Sequence, residues 1–191
     1  MDRKAAWAGF VLVGGASSRM GRDKASLPFL GRTLVEHVAA CVKQAAGSVT
    51  LVGAPERYAA LPFPRLADTR GGWGPLAGIH TALEHSDADW NLIVACDMPE
   101  LTTDFLQSLI LKADHSDSDC LIPAGPEGRP EPLCAAYRKA CLSAIGAALD
   151  RGVRKITDGL AGLRIATWPV AESHWFSNVN TPEDWAGYAA K

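Results

Sequence analysis

Short apolar runs alternate along this chain with segments whose apolar residues recur at helical spacing. Gly9-Phe10-Val11-Leu12-Val13 is a continuous apolar run that ends in glycines, the pattern of a strand buried on both faces. Across residues 33–46, Leu34, Val38 and Val42 share one helical face, with Glu36 and Lys43 available for the wet side. Val49-Thr50-Leu51-Val52 predicts a second strand, cut off by Gly53 and Pro55, and Arg65-Leu66-Ala67 a weaker one. Residues 76–85 predict a helix with Ile79 and Leu83 inward, and Trp90-Asn91-Leu92-Ile93-Val94-Ala95 the strongest central strand. Thr102 stands at the N-cap position of a helix through Leu106, Leu109 and Ile110, with Asp104 favourable in its first turn. Strand and helix thus repeat over residues 1–110, which predicts a mostly parallel sheet covered on both faces.

The second half is less regular. Asp119-Cys120-Leu121-Ile122 and Pro132-Leu133-Cys134-Ala135-Ala136-Tyr137 predict strands, separated by a Pro/Gly-rich stretch. Residues 138–150 predict a helix ended near Gly152, and Leu163-Arg164-Ile165-Ala166-Thr167-Trp168 another strand. Thr181-Pro182-Glu183-Asp184 combines an N-cap, a proline at the first helical position and first-turn acids, ahead of a last helix through Trp185 and Tyr188. No repeat, low-complexity tract or linker interrupts the chain, so residues 1–191 read as a single domain.

Composition narrows this picture. A length of 191 residues suits one substantial core, and 48% hydrophobic residues call for a packed fold. A formal net charge of -2 argues against a broad nucleic-acid or membrane surface. A site for an anionic ligand must then be built from a few local basic groups and backbone N–H donors. The five cysteines (Cys41, Cys96, Cys120, Cys134 and Cys141) are odd in number and irregularly spaced, which fits thiols in a reducing cytosol rather than a disulfide framework or a zinc site. The charged first residues lack a small-residue cleavage site and the apolar runs are too short to span a bilayer, so a soluble cytoplasmic protein is expected. His37, His80, His85, His115 and His174 are scattered without metal-ligand spacing or a nucleophile partner, and none is assigned to catalysis.

In an open α/β sheet, ligands sit beyond the carboxyl ends of the strands. Directly after the first strand comes Gly14-Gly15-Ala16-Ser17-Ser18-Arg19-Met20-Gly21-Arg22-Asp23-Lys24. Adjacent glycines permit close backbone approach, and consecutive N–H groups form a concave anion site. Ser17 and Ser18 can donate to phosphate. Arg19 offers a forked guanidinium and Lys24 a point charge, a set suited to a triphosphate. The spacing is neither the dinucleotide Gly-x-Gly-x-x-Gly nor Walker A, because Lys24 is followed by Ala25. Asp97 follows the central strand, where a carboxylate can bridge Mg²⁺ to phosphates or simply cap a turn. Asp68 follows a strand too, as a ligand contact or as an Asx-turn. Trp73 lies in the glycine-dense run ending at Gly78, placed to stack on an aromatic ring or to be partly buried.

Leu12-Val13-Gly14-Gly15-Ala16-Ser17-Ser18-Arg19-Met20-Gly21 with Asp23-Lys24 resembles the signature loop of molybdenum cofactor guanylyltransferases, within the wider nucleotidyltransferase group. Asp68 with Gly74-Pro75-Leu76-Ala77-Gly78, then Ala95-Cys96-Asp97-Met98-Pro99, then Asn178-Val179-Asn180-Thr181-Pro182-Glu183-Asp184 match in order, so the resemblance spans nearly the whole chain. It implies a three-layer α/β/α, Rossmann-like fold of the nucleotide-diphospho-sugar transferase type. It implies a nucleotide-binding half at residues 1–110 and an acceptor-binding half at 111–191. It implies Mg²⁺-dependent transfer of GMP from GTP to molybdenum-molybdopterin, with pyrophosphate released. Arg19, Lys24 and Asp97 are then catalytic, with Asp97 the metal ligand. Leu12, Val13, Gly14, Gly15, Ser17, Ser18, Arg19, Lys24, Gly53, Asp68, Gly78 and Asp97 contact GTP. Arg129, Arg154, Asn178 and Asn180 hold the acceptor. The expected partners are those two substrates and molybdoenzyme chaperones, with no nucleic acid or membrane, and the expected state is a monomer. Gly14-Gly15 resembles guanylyl-transferring members, whereas cytidylyl relatives carry Ala-Gly there. Gly53-Ala54 departs from the family, which often has Asn at this point as a base contact. The rivals are a cytidylyl- or sugar-phosphate nucleotidyltransferase and a non-catalytic nucleotide-binding module.

Overall fold

Trp7 to Val13 forms the first strand because its side chains are wanted on both faces at once: Val11 and Val13 join one apolar cluster, while Phe10 and Leu12 join the other. The computed structural model describes residues 6–14, 24–179, 184, 185 and 188. After strand β1 (Trp7–Val13) come a small hairpin of β2 (Pro28–Phe29) and β3 (Arg32–Thr33), helix α1 (Leu34–Ala46), β4 (Thr50–Gly53) and β5 (Arg65–Ala67). Then follow α2 (Pro75–Glu84), β6 (Trp90–Ala95), α3 (Thr103–Asp114), β7 (Cys120–Ala124), β8 (Cys134–Arg138), α4 (Cys141–Asp150), α5 (Ile156–Gly159) and β9 (Ile165–Pro169). Asp184, Trp185 and Tyr188 are helical, in keeping with the expected last helix. Its N-cap, Thr181-Pro182-Glu183, lies outside the described residues.

The seven-stranded sheet has the order β5-β4-β1-β6-β8-β7-β9. It is parallel except for β8, which runs antiparallel to both β6 and β7. Helices α1 and α3 cover one face, and α2, α4 and α5 the other, giving the expected three layers. β6 is buried at every position, which is why it reads as an uninterrupted apolar run. The chain moves outward from β1 to β4 and β5, then returns to β6 on the other side of β1. That reversal opens a crevice at the carboxyl ends of β1 and β6.

Several boundaries moved for physical reasons. The helix expected to begin at Arg138 begins at Cys141, because Arg138 is the last residue of β8. Its guanidinium donates to the Ser116 and Ser118 carbonyls and lies 4.2 Å over the Trp90 ring. Lys139 then turns away to donate its Nζ to the Leu83, Glu84 and Ser86 carbonyls, stopping the end of α2. These partners are distant in sequence, so local periodicity carries no sign of them. β1 starts two residues early because Trp7 stacks on Trp90 at 5.6 Å and its Nε1 donates to Asp114. The β2–β3 hairpin and α5 were not foreseen, being too short to show a period. All five cysteines are described and none is disulfide-bonded; Cys120 and Cys141 meet Sγ to Sγ at 3.5 Å inside the core. No helix among the described residues is long and apolar enough to cross a membrane.

Glu36 does more than face water. The Thr33 hydroxyl accepts from the Glu36 N–H, and the Glu36 carboxylate accepts from the Thr33 N–H at 2.8 Å, a reciprocal cap on α1. The hydrogen bonds from Thr33 hold the Glu36 carboxyl below its ordinary pKa. Thr33→Ala should cost about 1 kcal/mol, read as a lower denaturation midpoint at unchanged slope in urea.

Candidate active site

The rim at the carboxyl ends of β1, β4, β5 and β6 gathers most of the residues singled out from the sequence. Leu12 and Val13 end β1, and Gly14 follows with φ 140°. Gly15, Ser17, Ser18 and Arg19 lie outside the described residues. The next described residue is Lys24, half-buried at the head of a single 3-10 turn, Lys24–Ser26.

Gly53 ends β4 with φ 154°, and a Cβ built there would fall 1.5 Å from the Val13 carbonyl oxygen. The two strands approach so closely at this point that no side chain fits. The Gly53 carbonyl accepts from the Asp68 N–H at 3.2 Å, so one of its lone pairs is engaged within the protein. Gly78 sits buried in α2, where a Cβ would meet the Leu12 side chain at 3.3 Å. Both glycines bring their elements against β1, which sets the floor of the crevice.

Asp68 forms the Asx-turn that its sequence context allowed. Its Oδ1 accepts from the Arg70 N–H at 3.0 Å and from the Thr81 hydroxyl at 3.2 Å. Among the described residues its Oδ2 makes no hydrogen bond.

Asp97 follows β6 by one residue. Burial pushes its carboxyl pKa up, opposed by the positive charge of Lys24, which brings the two groups into one electrostatic neighbourhood. The Asp97 carbonyl accepts from the Val179 N–H at 3.0 Å, so the segment containing Asn178 is pinned beside it. The Oδ1 of Asn178 is buried with no hydrogen-bond partner among the described residues. Asn180 lies outside the described residues.

Glu131 was not singled out, and it belongs here. The Ala95 N–H donates to the Leu133 carbonyl at 2.7 Å, which sets the turn of residues 131–134 across from the end of β6. Burial raises the Glu131 pKa, and the Asp97 charge raises it further while Arg129 opposes. A carboxylate flanked by Pro130 and Pro132, just before a strand that begins on this rim, was the available signal. Arg129 itself is exposed, and its carbonyl accepts from the Gly125 N–H at 3.2 Å in the hairpin between β7 and β8. Arg154 is exposed as well and lies 4.9 Å over the ring of half-buried Trp73.

A buried oxygen without a donor and a desolvated carboxylate beside it are hard ligands of the kind Mg²⁺ takes. Among the described residues no group of three or more His, Cys, Asp or Glu side chains could enclose a metal by itself, so an ion here would complete its shell from substrate phosphates and water. A separate groove of about 500 Å³ between α3 and β9, lined by Phe105, Trp168 and Trp175 among others, shares no residue with this cluster.

The MobA-like NTP transferase domain matches residues 9–164. The chain is similar to a protein of Flavobacterium johnsoniae named probable molybdenum cofactor guanylyltransferase, 33% identical over 92% of either chain. A protein of the same name from Deinococcus radiodurans is 35% identical over 92% of this chain and 90% of its own. Among solved structures, molybdopterin-guanine dinucleotide biosynthesis protein A from Archaeoglobus fulgidus is similar, with TM-score 0.81 and 30% identity over 95% of this chain and 96% of that one.

Two outcomes follow from the crevice. Gly53→Ala drives a methyl group into the β1 backbone; it should destabilise the fold by more than about 1 kcal/mol, seen as a lower melting temperature even without any ligand. Asp97, with its raised pKa, binds a proton more readily in the folded chain than in the unfolded one. The stability which that proton lends is complete below the unfolded-state pKa and is lost as pH rises through the raised value. Asp97→Asn should therefore raise the melting temperature at neutral pH, with a gain that fades below about pH 4. A variant less stable than the parent at pH 7 would contradict the burial of this charge.

Proposed function

We propose that this chain, which belongs to the MobA-like NTP transferase family, transfers GMP from GTP to molybdenum-molybdopterin and releases pyrophosphate. The observation that carries the reading is Asp97: a desolvated carboxylate at the crevice beside β1, opposed by Lys24 and pinned to the Asn178 segment. The names borne by the relatives, which are guanylyltransferases of the molybdenum cofactor, support the choice of nucleotide and acceptor.

The reaction needs no covalent enzyme intermediate. The terminal phosphate oxygen of the acceptor attacks the α-phosphorus of GTP in line. A new P–O bond forms while the bond from the α-phosphorus to the bridging oxygen breaks, and pyrophosphate leaves with the electron pair. The protein's part is positioning and charge stabilisation. Lys24 and Arg19 stabilise the leaving pyrophosphate. The backbone N–H groups of Gly14 and Gly15, with Ser17 and Ser18, cradle phosphates, while Leu12 and Val13 set where that loop starts. The Oδ2 of Asp68 reaches the nucleotide, and Gly53 and Gly78 draw β4 and α2 against β1 to form the floor beneath it. Asp97 and the Asn178 amide oxygen, with Asn180, would hold Mg²⁺, and Glu131 adds negative charge close by. When bound, the ion would neutralise phosphate charge and orient the α-phosphate. Arg129 and Arg154 meet the anionic acceptor. A cytoplasmic monomer that hands its product to molybdoenzyme chaperones completes this reading, and rests on the family resemblance.

The test is pyrophosphate release from purified protein with Mg²⁺, GTP and molybdenum-charged molybdopterin. Asp97→Ala should lower kcat by roughly 10²–10³-fold and leave a GTP-induced rise in melting temperature in place. Equal turnover by the two proteins would remove Asp97 from the chemistry. Release with CTP and not GTP would move the chain to the cytidylyl branch.

A further inference from the structure

The turn between β5 and α2 is tethered twice, to the last residue of α4 and to the segment that follows it. Arg70, in that turn, pairs with Asp150 at 2.7 Å, and the Arg154 guanidinium lies 4.9 Å over the Trp73 ring. The same turn begins with Asp68 and closes with the Trp73 N–H donating to the Arg70 carbonyl at 3.1 Å. One short loop thus joins a residue on the nucleotide side to a cation on the acceptor side.

The charges around Arg154 are arranged unevenly. Lys155 pairs with Asp158 at 3.7 Å and Arg70 with Asp150, whereas Arg154 forms no ion pair among the described residues. Its recorded partner is an aromatic face. A guanidinium lying over a ring uses its π surface there and keeps its N–H donors at the edge, where a phosphate can take two of them. Trp73 is half-buried against the cluster of α2 and α4, so it is the fixed member of the pair. A salt bridge or cation–π contact this exposed contributes little to holding the fold together. Its effect is on Arg154, a long side chain whose ordering would otherwise be charged against binding.

We infer that Trp73 is a positioning residue, which holds the Arg154 guanidinium in place to receive the phosphate of the acceptor. This rests on the assignment of Arg154 to the acceptor made above. Trp73 acts through Arg154, and the nucleotide does not stack on its ring.

Steady-state kinetics with molybdenum-charged molybdopterin and GTP test this on the full chain, with melting temperatures to confirm folding. Trp73→Ala should raise the KM for molybdopterin about two- to fivefold, the worth of one exposed cation–π contact, and leave kcat and the KM for GTP unchanged. Trp73→Phe, which retains a ring, should restore most of the loss. Trp73→Ala combined with Arg154→Ala should be no worse than Arg154→Ala alone. If Arg154→Ala leaves the molybdopterin KM unaltered, the acceptor assignment fails and takes the inference with it. If Arg154→Ala raises that KM and Trp73→Ala does not, the positioning role alone is overturned. A rise in the KM for GTP in Trp73→Ala overturns it as well, and makes the indole a base-stacking surface.

Discussion

The site depends first on the parallel pairing of β1 with β6. Trp7 lies across from Trp90, and the register runs without a break to Leu12 across from Ala95. It then closes with the Cys96 N–H donating to the Leu12 carbonyl at 3.2 Å. That last hydrogen bond fixes two things at once: where the chain leaves β1 toward the glycine loop, and where it leaves β6 toward Asp97. A slip of one residue would turn Val11 and Val13 to the wrong face and exchange the two apolar clusters. The burial of both sheet faces therefore holds Gly14 and Asp97, just beyond these two strands, at one fixed separation. The chemistry needs that separation to stay constant as charge moves from the α-phosphate to the leaving pyrophosphate.

What the core fixes, the rim destabilises. Asp97 and Glu131 are both half-buried, and each is raised in pKa mainly by that burial. Lys24 opposes the first and Arg129 the second, so neither carboxylate is left wholly uncompensated. A chain with a net charge of only -2 carries no broad field to gather an anion. Its selectivity for phosphates must arise from these few local groups, at the expense of stability in the resting protein. A divalent ion and a triphosphate would together reverse that expense, since the ion satisfies the carboxylates and the phosphates satisfy the cations.

The first 110 residues were legible because their signals are local. Residues 90–95 read as a buried strand from apolarity alone, Thr102 caps its helix as its position suggested, and glycines mark the ends of β1 and β4. Features set by distant partners were hidden. Arg138 reads as the start of a helix until Trp90 and the Ser116 carbonyl are placed beside it. Glu36 reads as a solvated charge until Thr33 turns back on it. Glu131 reads as a loop residue, because antiparallel β8 brings it to the rim from the opposite chain direction. Residues 111–191 are arranged mostly by such non-local placements, and the acceptor residues proposed there were accordingly named from resemblance more than from pattern.

Gly53 sharpens the question of base choice. As a departure from the family's asparagine it seemed to bear on which base is read. Its Cβ position is occupied by the Val13 carbonyl, and its own carbonyl already accepts from Asp68. The glycine is thus required by how closely β4 meets β1, whatever nucleotide enters, and the missing side chain is no evidence for or against guanine. Discrimination must come from groups that open onto the crevice. Hydrogen-bonded sites reject a ligand lacking the right donors far more strongly than apolar ones do, because the protein's own polar groups are then left unpaired. The Gly53 carbonyl, which accepts from Asp68 through one lone pair, is an acceptor of the kind the donor edge of guanine would need. The position of that carbonyl is set by how closely β4 packs on β1 and not by the identity of any one side chain.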